Sequence, residues 1–406
     1  MKKLYNAFIE PFMTLGNKTF SKLYFAQVSS LFGDAFTWLG LALLAYEIKP
    51  ESAAAILAAA LTLRVTAYII FSPFAGILSE RIDRKKILLF TQLARMGIVC
   101  LLPFVSYEWQ LYVLIFILNT FAAFFTPTYR AIIPQIVDKQ VYREANGLSM
   151  ATFQLLSVFG PALAGIASAW LGARQIFFVN GVSLLIAMVL IMTIPKESLQ
   201  GALPLNLRKF ESIWTQLANG VKLLFGNKIV RFALSIEFIS AIAGAMVLVN
   251  TVGLVKTTLQ LDDEHYGWAM STFGIGAAIT AFLLGSLDKT KTRSISLISG
   301  VIVIGVAISF ANSVSYNGLL FLWVLAGIGQ TLADMPSETL IGENIAAKDH
   351  GKVYGSHFAF SHLWWAIAYP IAGYIGTQFM GSDFLLGGLL TIFLALVIVM
   401  IFKFRG

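Results

Sequence analysis

Residues 33–44 read GDAFTWLGLALL, and the surrounding run, 23–45, carries Asp34 as its single charge. About 20 apolar residues suffice to cross a hydrocarbon core as a helix. A helix closes its own backbone hydrogen bonds, and lipid offers no others. Runs of this kind recur along all 406 residues, of which 58% are hydrophobic and 12% charged. That is about half the charge of an average soluble domain, and the mean hydropathy is +0.78. The sequence therefore predicts an all-α membrane protein.

Twelve spans are expected, at 23–45, 53–75, 87–106, 110–130, 147–170, 175–194, 232–255, 266–287, 295–312, 317–339, 354–376 and 383–402. Of the 29 Lys and Arg, Lys49, Arg174 and Lys256 fall in one set of loops, and Arg64 and Arg95 fall within spans. All the others gather at the opposite ends, which the positive-inside rule makes cytoplasmic. Both termini are then inside, and the net charge of +8 is topology, not a nucleic-acid patch. Residues 1–22 are too polar and broken for a cleaved signal peptide and read as a basic interfacial segment. Cys100 is the only cysteine, so no disulfide framework or cysteine metal cluster is expected.

The longest polar connection, 195–231, separates a six-span bundle at 23–194 from a second at 232–406. The two resemble each other at a constant offset of 209 residues: Pro127 and Pro336, Pro161 and Pro370, Gly76 and Gly285. Parallel six-span repeats predict two pseudo-symmetric bundles with a substrate path between them near the midplane, reached by alternating access.

The loop after the second span reads GILSERIDRKKIL, 76–88. It resembles the cytoplasmic motif of the major facilitator superfamily, with Glu80 for the usual aspartate and Asp83 for the usual glycine. Asp83, the aspartate in span 1 and the block TPTYRAIIPQIVDKQVYREANGL at 126–148 resemble the macrolide-efflux-like group of drug:proton antiporters. The resemblance implies that Glu80 meets a helix N-terminus, where a carboxylate is favourable, and pairs with a nearby arginine. Gly76, Glu80, Asp83 and Arg84 would then form a cytoplasmic gate. GPALAG at 160–165 resembles the antiporter motif of exporters through Gly160, Pro161 and Gly165, with Ala164 replacing a glycine. A proline kink with small-residue helix packing is the other reading of that stretch. The resemblance also implies a monomer.

Asp34 and Arg64 each lie about eleven residues into their spans, about 15 Å from either surface at a helical rise. An isolated charge there costs about 2.5–3.5 kcal/mol on insertion scales. The expectation is that Asp34 faces a central cavity and pairs with Arg64. Separation would raise the carboxyl pKa, giving proton coupling; a static ion pair is the alternative. Arg95 is open to binding substrate, joining Asp34 or snorkelling. Glu237 is a candidate second acid. Asp334 and Glu338 share a face of span 10 around Pro336, and Glu338 is near enough to the cytoplasmic end to be simply solvated.

Of four histidines, His265 lies in the acidic loop DDEHYG and is expected to be solvated, and His350 lies in an inner loop. His357 and His362, five apart, do not share one helix face. Either is open to joining Asp334 or Glu338, a donor set that suits nickel, zinc or iron. This block resembles nickel-resistance permeases, so divalent-metal export is the alternative substrate class. Packing beside Trp364 and Trp365 is the plainer reading. No P-loop, H-E-x-x-H or G-x-S-x-G occurs, which argues against ATP drive and hydrolysis. No cofactor or resident metal is expected. The sequence reads as a secondary transporter of the bacterial inner membrane. It would exchange protons for a small amphipathic compound such as a drug, macrolide or siderophore-like metabolite, and import remains open.

Overall fold

The computed structural model describes residues 12–138, 141–199, 213–287, 293–345 and 350–402. Among them it contains helices and no strand. The first six are α1 (Lys18–Ile48), α2 (Ala53–Arg81), α3 (Arg84–Leu101), α4 (Glu108–Ile136), α5 (Tyr142–Leu171) and α6 (Ile176–Met192). A short helix, α7 (Ile213–Gly226), precedes α8 (Lys228–Gly253), α9 (Asp263–Leu287), α10 (Arg293–Ser309), α11 (Tyr316–Asn344), α12 (His350–Gln378) and α13 (Asp383–Phe402). Ten are long and apolar enough to cross a membrane. α6 is apolar but has 17 residues. α12 has 29 residues and is diluted by polar side chains, among them His357 and His362. These twelve helices correspond to the twelve expected spans.

The repeat appears in the helices themselves. α4 and α11 are both 29 residues long and hold Pro127 and Pro336 about two-thirds along. α5 and α12 hold Pro161 and Pro370 in the same relative place. α7 was not anticipated, because its residues fall in the polar connection. Leu224 on its inner side is buried with Val230, Leu234, Ile341 and Val353, and Phe225 meets Phe360 edge-on at 5.2 Å.

The chain forms two compact units. Unit 1 comprises Met1–Gly40 and Ala67–Arg208, and unit 2 comprises Leu41–Thr66 and Lys209–Gly406. The polar connection thus ends one unit, and the second also takes in the end of α1 and the beginning of α2. Small residues explain this local packing. A Cβ on Gly373 of α12 would lie 2.5 Å from Ala58 Cβ and 3.1 Å from the Ala54 carbonyl oxygen. In lipid, where apolar burial drives little association, such close approach supplies the contact energy.

In unit 1, Phe20, Leu23, Leu88, Ile132 and Ile191 form a buried apolar cluster joining α1, α3, α4 and α6. In unit 2, α8 is central: Phe232, Ala233, Ile236 and Ile239 pack with Leu297, Val301, Ala333, Leu340 and Ala395. Large apolar side chains such as Phe90, Phe104, Trp170 and Phe282 point outward, as a lipid-facing surface requires.

Candidate functional site

Buried polar side chains meet on otherwise apolar helices in each unit. In unit 1, Nη2 of Arg95 on α3 donates to both oxygens of Asp34 on α1, at 2.6 and 2.8 Å. Its Nη1 donates to Ser30 Oγ and Gln92 Oε1, both at 3.2 Å, and the guanidinium lies 5.8 Å from the Phe125 ring centre. Asn180 of α6 donates to Thr37 Oγ1 at 2.6 Å and to Asp34 at 3.4 Å. Arg95 is 4% exposed and Asp34 31%, so the cation is sealed and the carboxylate keeps an open side.

The sequence reading gave Arg64 as the partner of Asp34; the structure puts Arg95 in that place. The reason is length. α3 begins at Arg84, so Arg95 stands three helical turns from its start, deeper than the expected span implied. Its long side chain covers the remaining axial difference to Asp34. Arg64 belongs to unit 2, where it acts electrostatically on His362 and Tyr369 of α12.

The turn between α2 and α3 is built around Asp83. Its carboxylate caps α3 by accepting from the Lys85 backbone N–H at 2.9 Å and pairs with Lys196 at 3.3 Å. An aspartate in this position satisfies one of the orphan donors of a helix start. Arg84 donates to Gln135 at the end of α4 at 2.5 Å. The side chains at Gly76 and Glu80 lie outside the described residues. Nearby, Lys22 Nζ donates to the Thr193 carbonyl at 3.0 Å, and Lys85 Nζ to those of Met192 and Ile194 at 2.9 and 2.6 Å. Two ammonium groups thus bond the last carbonyl of α6 and the two that follow it.

The GPALAG stretch lies on α5. Gly160 is buried against Ala35, and a Cβ there would clash with the Ala35 methyl. Pro161 is inside the helix, and Gly165 is buried. The motif therefore brings α5 onto α1 one residue from Asp34.

In unit 2, His357 Nε2 of α12 donates to both carboxylate oxygens of Glu237 on α8 at 2.9 Å. The two side chains are 8% and 10% exposed. One turn along α8, Ser240 Oγ accepts from Gln330 Nε2 of α11 at 2.7 Å, and the same amide donates to Asp334 at 2.6 Å. Gly244 makes room for this: a Cβ there would lie 2.5 Å from Gln330 Oε1 and 2.8 Å from the Trp365 ring. His362, half-buried, donates from Nδ1 to the Phe358 carbonyl at 2.9 Å. The side chain of Glu338 lies outside the described residues.

The sequence reading passed over Ser30, Gln92, Asn180 and Gln330, and it set His357 either to packing or beside Asp334 or Glu338, not beside Glu237. The available signal was a polar residue on an apolar helix: Asn180 in FFVNGVS and Gln330 in GIGQTLAD. Among the described residues no group of three or more His, Cys, Asp or Glu is placed to hold a metal ion. At the start of α9, Asp262 just before the helix and His265 in its first turn form an exposed pair at 2.5 Å. The hydrogen bond from His265 holds the Asp262 carboxyl below its ordinary value.

The chain matches the family model of the Major Facilitator Superfamily over residues 23–252 and 233–405. Macrolide efflux protein A of Streptococcus pyogenes is 24% identical, covering 95% of this chain and 96% of its own. An uncharacterized MFS-type transporter of Bacillus subtilis, YfiS, is 23% identical over 71% of this chain and 70% of its own length. Among solved structures, a POT family transporter in complex with 5-aminolevulinic acid superposes with a TM-score of 0.73 at 11% identity, covering 95% and 96% of the two chains. The nucleoside transporter NupG does so at 0.71 and 14%, covering 94% and 98%. At these identities the structural likeness carries the fold alone.

Proposed function

The chain belongs to the major facilitator superfamily, and from that premise we propose that it is a proton-coupled exporter of a small amphipathic compound of the drug or macrolide kind. Its family and fold are those of membrane transporters, not enzymes. Export is supported by the likeness to proteins named for macrolide efflux and by the GPALAG motif packed against α1.

The observation that carries the coupling is the Asp34–Arg95 pair. A carboxylate bonded to a cation holds no proton, whereas one left alone in an apolar setting takes one up. A movement that draws α1 from α3 loads Asp34, and the return releases the proton. The open side of the carboxylate gives the proton its path. Arg95, Asn180 and Ser30 set the geometry. Arg64, Glu237, Asp334, Glu338 and His362 contribute to the substrate path, and Gly76, Glu80, Asp83 and Arg84 to the gate. The distribution of Lys and Arg supports a bacterial inner-membrane location with both termini cytoplasmic, and one chain suffices as the transport unit.

Growth inhibition in a pump-deficient host tests this, with a panel of macrolides, dyes, siderophores, and nickel and cobalt salts. Wild type is expected to protect against an amphipathic compound, and Asp34→Asn at equal expression to abolish that protection. Protection that survives the substitution reduces Asp34 to a structural group. Protection confined to the metal salts overturns the substrate class.

A further inference from the structure

We infer that Glu237 and His357 form a second proton-binding couple, independent of Asp34, that fastens α8 to α12. In unit 1 the half-buried Asp34 faces an arginine, a permanent cation. In unit 2 the acid faces an imidazole. Glu237 with neutral His357 is a buried net negative charge; adding one proton from solvent to the ring makes an N–H bond and brings the pair to zero. Burying a lone charge among apolar helices is costly, and the 2.9 Å contacts to both carboxylate oxygens let the pair take up that proton without moving apart. Proton uptake turns a hydrogen bond into an ion pair, so the grip of α12 on α8 tightens as pH falls.

The neighbouring charges leave this neutralisation to the histidine. On the helices packed against α8, Arg293 of α10 is taken by Glu343, and Asp383 of α13 is held by Asn312 at the far end of the unit. α11 presents Asp334, bonded by Gln330. Lys222 of α7 and Lys228 and Arg231 of α8 itself are exposed, and α9 carries its charges, Asp263, Glu264 and His265, at its first turn. On α12, His362 is turned to its own helix backbone, with Arg64 acting on it. The side chains of Glu338, His350 and Lys352 lie outside the described residues.

The test needs no substrate. A protein in which His265, His350 and His362 are replaced by Gln leaves His357 as the sole histidine. Reconstituted in liposomes, it is followed by infrared difference spectroscopy as pH rises from about 5 to about 9, the range of histidine titration. One ring is expected to pass from imidazolium to imidazole, and Glu237→Gln to move the midpoint down by about one pH unit or more. Asp34→Asn is expected to leave it in place. A ring that holds one state throughout, or a midpoint indifferent to Glu237→Gln, overturns the inference. Should the sole-histidine protein fail to fold, the difference between wild type and His357→Gln reads the same signal, and its absence is equally decisive. Loss of efflux with Asp34→Asn bears only on the transport reading and leaves this result untouched.

Discussion

A single guanidinium nitrogen, Nη2 of Arg95, serves both oxygens of Asp34, while Nη1 bonds Ser30 and Gln92. Arg95→Ala strips the carboxylate of its cation and leaves Ser30 and Gln92 unpartnered. Breaking a buried pair from one side costs about 3–5 kcal/mol; with Asp34 partly exposed, the lower end is expected. Arg95→Ala should therefore lower the melting temperature in detergent markedly, and adding Asp34→Asn should recover part of the loss. A double variant no more stable than Arg95→Ala would refute the pairing as a stability element.

Gly160 and Ala35 leave no room for a second methyl between α5 and α1. Overpacking of a tight contact costs about 1–3 kcal/mol. Gly160→Ala is expected to be destabilised within that range, and Ala35→Gly in the same chain to restore it, since the space is shared by these two residues. Thermal melts of the two single variants and the double variant check this. Additive losses would place the clash elsewhere.

Gly373 of α12 holds the start of α2 in unit 2 through Ala58 and Ala54. Gly373→Leu must push the two helices apart. Protease accessibility of the α1–α2 turn is expected to rise, together with a loss of stability of a few kcal/mol. An unchanged rate of cleavage at Glu51 by a glutamate-specific protease would count against that packing.

Lys85 spans the end of α6 with bonds to Met192 and Ile194 carbonyls. A charge at a helix C-terminus contributes about 0.3–1 kcal/mol. Lys85→Met is expected to lose about that much, with Lys85→Arg keeping most of it. The loss should shrink at high ionic strength, because Lys85 is only half-buried and salt screens its charge in part. A salt-independent loss would assign the effect to packing.

The twelve spans were legible because lipid imposes a length and an apolar character on each helix, and the prolines at 127, 161, 336 and 370 carry the repeat. Asp34 and Glu237 were legible as acids out of place. Their partners were less so, Arg95 standing only as one option for Asp34 behind Arg64 and His357 never being set beside Glu237, because partnership depends on where helices start and how they lean. Arg95 lay deeper along α3 than its span boundary implied. His357 stands five residues from His362, a spacing that speaks against a shared face and says nothing about α8 across the way. Gln330 and Asn180 were hidden for another reason: an amide carries no charge, so its cost in an apolar helix is easy to overlook. α7 escaped because its apolar side is short and its flanks are polar.

The lysines that close the end of α6 bear on how the chain is made. Synthesis delivers α1 and α3 first. Lys22, Lys85 and the Asp34 carboxylate are therefore already in the nascent chain before Asn180 and the carbonyls at 192–194 leave the ribosome. α6, at 17 residues a marginal stop for an insertion apparatus, arrives at a socket already furnished with its hydrogen-bond partners. Its retention in the membrane is thereby a property of the residues that came before it as much as of its own.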